Sequence, residues 1–329
     1  METSTTPRTL EEIKRETLVN SAGVAFRDFK KTLTPKFHLV WLHLLVGYLA
    51  LLAIAAVAIA LDLYFPKFLP LTVVGCGLLF GYCLSYILLF FHEAYHYNIA
   101  KDRVVNDKLA NLLIGSLVGQ DIKTYRQIHL AHHRYLGTAD DPEHSYFNAL
   151  TLRFILESLT GIRVFKALLG REKFIQSKQS PNLPASKSVI STQFVLGVAI
   201  NGLIIIISGG LGYWSLAGAW ILGMLIFFPF FSSVRNVLEH RDEFAGSEVN
   251  YYSTPRIPVN RMFGDGLFAS TFGGAGFNRH MLHHWEQHIS YTRLKDLETF
   301  LLDTEAADLI KTNSSGYLQT FGRLFSLKS

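Results

Sequence analysis

The sequence predicts an all-α integral membrane protein, with four transmembrane helices in two hairpins and a histidine-rich helical cap on the cytosolic side. Three observations predict it. Of 329 residues, 49% are hydrophobic and only 17% are charged, with a mean hydropathy of +0.23. That balance excludes a disordered chain and does not suit a soluble enzyme. The apolar excess sits in four long runs almost without charge, which distinguishes a membrane protein from a large soluble core. Finally, 11 of the 13 histidines fall between His92 and His288, outside those runs and mostly in tight groups.

In chain order, residues 1–36 are polar and lack the basic-then-apolar order of a cleavable signal peptide, so they read as a cytosolic N-terminal segment. A membrane domain follows over residues 37–290, and residues 291–329 form a cytosolic C-terminal segment. Four runs are long enough to cross about 30 Å of hydrocarbon at about 1.5 Å per residue: 39–64, 71–91, about 189–208 and about 211–231. The first two are joined by a short connection with Pro66 and Pro70, and the last two by little more than Gly209 and Gly210. Both pairs therefore read as tight helical hairpins. Asn201 and Pro229 interrupt the last two runs, which a bundle tolerates. Residues 109–118 are apolar but too short to span. Residues 150–169 carry Arg153, Glu157, Arg163 and Lys166 and suit an interfacial helix. Residues 176–188, rich in Ser, Pro and Lys, read as a loop. Cys76 and Cys83, both inside one span, read as small packing residues, with no disulfide framework and no metal or redox motif.

Charge sets the orientation. Thirty of the 31 Lys and Arg residues lie on one side of the proposed membrane, the exception being Lys67 in the first hairpin. The positive-inside rule places that side, with both termini, in the cytosol. Topology thus accounts for the net charge of +5. No basic, aromatic-interleaved motif is present, so no nucleic acid partner is expected.

Nine histidines form four groups. They are His92 and His96 in H-E-A-Y-H, His129, His132 and His133 in H-L-A-H-H, His240 four residues after Asn236 in N-V-L-E-H, and His280, His283 and His284 in H-M-L-H-H. On a helix, positions i and i+4 differ by about 40° and i and i+3 by about 60° the other way, so each triplet spans an arc of roughly 100° and can turn three imidazoles toward one place. Adjacent imidazoles repeated in this way point to metal binding. Nine exceed the three or four that one zinc uses, so the cap is expected to hold a dimetal site with four or five nitrogens per metal; imidazole alone does not choose among iron, zinc and copper. The soluble di-iron carboxylate pattern needs two Glu-x-x-His motifs, and only Glu93 to His96 fits. Because metal-bound imidazoles usually donate their second N–H to a carboxylate or carbonyl, Glu93, Asp140, Asp141, Glu239 and Glu286 are the candidate partners. His144 and His288 fall outside the pattern and read as hydrogen-bonding or surface groups. His38 and His43 read as interfacial.

In order and spacing over about residues 37–290, these groups resemble the membrane fatty acid desaturase and hydroxylase superfamily, as do Asp140-Asp141-Pro142 after the second group and Trp285 after the last. The resemblance implies a non-haem di-iron centre held by the nine histidines, with Asn236 close to one iron through water and dioxygen as co-substrate. It implies an oxidoreductase that introduces a double bond into an acyl (lipid) chain, in the bacterial inner membrane or the endoplasmic reticulum. Hydroxylation of a lipid, a carotenoid-type hydrocarbon or a small specialised metabolite is the alternative on the same scaffold. No His-Pro-Gly-Gly signature of a fused cytochrome b5-like domain is present, so electrons are expected from a separate ferredoxin, rubredoxin or cytochrome b5 type carrier with its reductase.

Two other classes are weaker. H-E-A-Y-H fits the H-E-x-x-H signature of an intramembrane zinc metalloprotease with Glu93 as general base, but that leaves seven grouped histidines without a role. A metal transporter or sensor would carry ionisable groups along its spans. Asp62 is the only charge in the four runs, and no histidine follows His43 within them.

Overall fold

The computed structural model describes residues 9–163, 166, 191–243, 245 and 259–326, without the side chains of Glu11 and His144. The expected loop at 176–188 and the role of His144 therefore lie outside the described residues, as does most of the expected interfacial helix beyond residue 163. The described residues are helical and include no strand, only isolated bridges between Val19 and Ala25 and between Met262 and Ser314.

The helices are α1 (Phe26–Thr32), α2 (Phe37–Tyr64), α3 (Leu69–Tyr95), α4 (Arg103–Ala110), α5 (Ile122–Tyr135), α6 (Leu152–Leu159) and α7 (Thr192–Gly210). They continue with α8 (Trp214–Leu222), α9 (Phe228–His240), α10 (Leu267–Phe272), α11 (His280–Trp285), α12 (Tyr291–Leu302), α13 (Ala307–Thr312) and α14 (Tyr317–Ser326). Among the described residues, four continuous stretches are long and apolar enough to cross a membrane: Phe37–Tyr64, Pro66–Tyr95, Thr192–Gly210 and Trp214–His240. The second and fourth run past the ends of the apolar segments. Each thus leads into its histidine group from a rod long and apolar enough to cross a bilayer.

Sequence pattern explains how these rods pack. In α2 only Val40, Leu44, Gly47, Leu51 and Ala58 are buried, a helical stripe with spacings of three, four and seven. Leu42, Leu45, Leu49 and Leu52 on the same helix are 51–66% exposed, as lipid-facing residues would be. α3 is the central rod and packs against α2, α8 and α9. Gly81 permits the closest approach: a Cβ there would lie 2.3 Å from the Cβ of Phe227 and 2.7 Å from the backbone of Phe227 and Phe228. Small residues draw helices together in this way where lipid offers no hydrophobic drive to do so.

The polar interruptions are satisfied locally. Asn201 donates to the Leu117 carbonyl at 2.9 Å and accepts from Trp220 Nε1 at 2.9 Å. Asp62 accepts from the Ser215 amide at 2.9 Å and from its hydroxyl, and so caps the first turn of α8. Pro229 follows a π-helical turn, Gly223–Phe227, that joins α8 to α9. A proline has no N–H to give and its ring crowds the preceding turn, so the wider turn lets one helix continue into the next.

Two further cores flank the bundle. Leu10, Leu18 and Phe26 from the N-terminal segment pack with Met281, Leu282 and Trp285 of α11 and Leu294 and Leu297 of α12. Leu150 and Phe154 pack with Val234, Val237 and Leu238 of α9 and with Tyr317 and Leu324 of α14.

Candidate metal centre

Local devices set the histidine-bearing helices. α3 ends at Tyr95 with His96 as its cap residue. α5 starts where the Asp121 carboxylate accepts from the amides of Lys123 and Thr124, both at 3.0 Å. Arg126 ties α5 to the end of α3 by donating to the Tyr95 carbonyl at 3.2 Å, and to α4 by bonds of 2.7 and 3.0 Å to Asp107. Ahead of α11 the chain turns through Gly276 at φ +89°, where a Cβ would lie 2.8 Å from Tyr291 and Leu294. Only glycine suits both the left-handed backbone and the space.

These elements bring all nine grouped histidines together. His92, His96, His129, His133 and His283 place one ring nitrogen each within 4.8 Å of one another, and so do His132, His240 and His284. His280 joins His240 in a third such set with Glu239, and His240 therefore links the second and third sets. The triplets are divided between the sets rather than turned toward one place. In α5, His129 and His133 enter the first set and His132 the second; in α11, His283 enters the first, while His284 enters the second and His280 the third. The i+3 and i+4 positions depart from i in opposite rotational senses. An H-x-x-H-H helix lying between two sites therefore serves both.

The ring nitrogens meet at short range. His129 to His133 is 2.9 Å, His133 to His283 is 3.1 Å, His240 to His280 is 2.9 Å and His280 to His284 is 3.1 Å, all between Nε2 atoms. Two nitrogens held about 2.0–2.1 Å from one ion at a right angle lie about 3 Å apart, so these spacings fit the edges of a coordination shell. The electrostatics agree. Burial, followed by the neighbouring imidazoles, holds His96, His133, His280, His283 and His284 well below the usual histidine range. They are neutral at physiological pH, the state that binds a cation. Both ring nitrogens of His92, Nε2 of His96 and Nδ1 of His280 are buried without a hydrogen-bond partner. A metal ion taking one nitrogen of His92 and Nε2 of His96 would remove part of the desolvation cost that such orphaned nitrogens carry. The residues present therefore fit a metal.

His132 differs. Burial pushes it down, but the Asp141 carboxylate, by charge and hydrogen bond, more than offsets this and raises its pKa. Asp141 lies 2.9 and 3.0 Å from His132 Nδ1 and also accepts from the Tyr146 hydroxyl at 2.6 Å and the Glu143 amide at 2.8 Å. Asn236, one turn before His240, accepts from Ser145 Oγ at 2.9 Å.

The other carboxylates read from the sequence are placed differently. Glu239 lies 3.9 Å from His280 Nε2 and 3.4 Å from Arg235 Nε, and stands among the potential ligand atoms themselves. Glu93 accepts from Ser290 Oγ at 3.1 Å and the Tyr291 amide at 3.4 Å, so its contacts are with the chain entering α12. Glu286 pairs with Arg15 at 2.9 Å and Lys30 at 2.6 Å, fastening the N-terminal segment to the last histidine group. Asp140 is exposed. His288 is exposed, with its ring centroid 6.3 Å from that of His96. His38 is exposed, and His43 is 2.8 Å from the Tyr291 hydroxyl.

Sequence reasoning missed Glu143, 3.8 Å from His129, and Tyr146, which steadies Asp141. Glu143 adjoins a motif already singled out, whereas nothing in the sequence around Tyr146 marks it. A cavity of about 330 Å³ opens against all three sets, lined by His129, His132, His240 and His280, by the carboxylates Glu143 and Glu239, by Leu88 and Phe228 from the spans, and by Phe277.

The sequence matches the fatty acid desaturase family over residues 68–309, a stretch that contains all nine histidines. No curated protein matches the chain. The four membrane-capable helices, the convergent histidines and this match lead to one assignment: the chain belongs to the fatty acid desaturase family, and is a membrane oxidoreductase with histidine clusters suited to metal.

Proposed function

We propose that the chain is a di-iron oxidoreductase that uses dioxygen and two electrons from a separate carrier to introduce a double bond into an acyl chain. The observation that carries this reading is the convergence of nine histidines in adjoining sets, the first with no carboxylate among its potential ligands. Two irons held there would supply the one-electron and dioxygen chemistry needed at an unactivated C–H bond, for which no side chain is basic enough. His92, His96, His129, His133 and His283 would hold one ion, and His132, His240, His280 and His284 the other, with Asn236 beside the second through water. Asp141 accepts a hydrogen bond from Nδ1–H of His132, which keeps the proton on Nδ1 and leaves Nε2 free to ligate. Phe277, whose ring centroid is 4.6 Å from that of His92 and 5.0 Å from that of His280, covers both sets and limits water on the substrate side.

Positive charge and geometry support one topology. The spanning helices α3 and α9 both end at the clusters, so α5 and α11 to α14 belong on that side of the bilayer, with 30 of 31 basic residues. We assign that side, and both termini, to the cytosol. The H-E-x-x-H reading gains no support: Glu93 is bonded to Ser290 and Tyr291, whereas a general base would have to reach a metal-bound water.

The decisive experiment is expression in a desaturase-free host with mass spectrometry of its lipids. The expected product lacks two hydrogens relative to its precursor. A product carrying one added oxygen would establish the hydroxylase instead, and lipids unchanged with a metal-loaded, reductant-supplied protein would overturn an acyl substrate.

A further inference from the structure

The last helix, α14, has three faces. Tyr317, Thr320 and Leu324 are buried, with Tyr317 and Leu324 in the core beside α9. At about 100° per residue, Leu318, Phe321 and Phe325 fall within an arc of about 60° next to that buried face. Leu318 is 75% exposed and Phe325 39%. Gln319, Arg323 and Ser326, also exposed, occupy a third arc on the far side of the apolar one. A helix packed on protein in water needs only a buried face and a polar one. An apolar face left between them suits a helix lying at the boundary of hydrocarbon and water.

Beside that face lies α10. Leu267 is 84% exposed and Phe268 42%, and the Phe268 ring centroid is 6.2 Å from that of Tyr317, the residue before Leu318. Phe268 also stacks on Tyr82 of α3, with centroids 6.5 Å apart, and Thr271 Oγ1 lies 2.7 Å from the Tyr82 hydroxyl. Tyr82 gives the depth. A hydrocarbon core of about 30 Å entered at Leu69 ends about 20 residues later, near Leu89, which puts Tyr82 about 10 Å inside it. Leu78 and Leu79, one turn before Tyr82, are 43% and 52% exposed, as lipid-facing residues would be. The open face of α3 therefore continues through Phe268 and Leu267 to Leu318.

We propose that α10 and α14 lie in the plane of the membrane, embedded in the leaflet on the side of the candidate metal centre, with the acyl chains of that leaflet covering Leu267, Phe268, Leu318 and Phe325. Single exposed apolar residues are ordinary on a protein surface. These are contiguous with a spanning helix, at a depth where the surroundings are lipid. Charges stand where headgroups would: Lys295 pairs at 2.8 Å with Asp265, just before α10, and Arg323 lies on the polar arc of α14. The segment after residue 290, whose sequence reads as cytosolic, thus gains a seat in the bilayer, and α14 lies beyond the family match, which ends at residue 309. That seat supports the site. The Tyr317 hydroxyl donates to the Phe277 carbonyl at 3.2 Å and to the Glu239 carboxylate at 3.5 Å, and Phe277 and Glu239 both line the cavity beside the histidines. Embedding α14 therefore holds one wall of that cavity in place.

The test uses the full chain in phosphatidylcholine nanodiscs, with a bimane label on single introduced cysteines. Cys76 and Cys83 are buried, and their failure to react in each preparation certifies the fold. Leu267→Cys and Leu318→Cys are compared with Leu49→Cys on the exposed face of α2 as the lipid reference and with Glu305→Cys as the aqueous one. A nitroxide on the lipid acyl chain is expected to quench the label at positions 267, 318 and 49 but not at 305, and aqueous iodide to do the reverse. Nitroxides placed at successive depths along the acyl chain should put position 318 about 5–10 Å below the headgroup boundary. Iodide quenching at 267 or 318 equal to that at 305 overturns the proposal in favour of water. Protection of either position from both quenchers overturns it in favour of a protein partner or another segment of this chain. No readout depends on turnover, so the outcome is separate from that of the proposed reaction.

Discussion

At His132 two opposing effects meet: burial favours the neutral ring, and Asp141 favours the protonated one. Asp141, with smaller contributions from Glu143 and Glu239, shifts the balance toward the protonated ring. When a metal takes Nε2, the same carboxylate keeps Nδ1 protonated and the ring in place, so its loss should weaken the site without dismantling it. Asp141→Asn is expected to lower metal affinity at the second set about 10–100-fold, read by metal titration of the purified protein. His283→Ala should be harsher. Its ring lies between His92 at 4.4 Å and His133 at 5.0 Å between centroids, and its removal should take metal and activity together while the chain still inserts. Full turnover with iron retained in that variant would refute the assignment of His283 as a ligand.

Among the elements, α3 carries the most, because it packs against α2, α8 and α9 and ends in the first histidine group. Its contact with the α8–α9 turn is glycine-limited, and Gly81 and Gly75 give opposite expectations. A methyl on Gly81 would meet the backbone of Phe227 and Phe228 at 2.7 Å, which no rotamer change relieves. Gly81→Ala should push α3 from α9 and displace His92 from His240; a shift of about 1 Å costs an active site about a hundredfold. Gly75 has nothing within 4 Å of the added methyl. Gly75→Ala should therefore leave turnover within about twofold, as substitutions away from contacts do. Equal loss in the two variants, measured at equal expression, would show that helix spacing is not what the glycine protects.

For the whole molecule, the spans and the histidine groups were legible because each is a local pattern: uncharged length for the rods, and i, i+3, i+4 spacing for the groups. What was not legible is non-local. The division of each triplet between sets depends on where α5 and α11 lie, and the fastening of Glu286 by Arg15 and Lys30 joins residues more than 250 positions apart. Sidedness lies between these cases, since charge asymmetry implies it and the fold supplies a lever to test it. α3 has 27 residues and is about 40 Å long, more than the roughly 30 Å of a hydrocarbon core, so in the proposed topology Lys67 before its start and His92 near its end lie on opposite faces. The native thiols, Cys76 and Cys83, are buried, which leaves a low background for labelling. Single cysteines at the exposed positions Lys67, Arg27 and Glu305 should then separate cleanly with a membrane-impermeant maleimide. Lys67→Cys should label on intact cells, and Arg27→Cys and Glu305→Cys only after lysis. The reverse pattern would invert the topology and place the candidate metal centre outside the cytosol, away from the separate electron carrier and reductase that the proposed reaction requires.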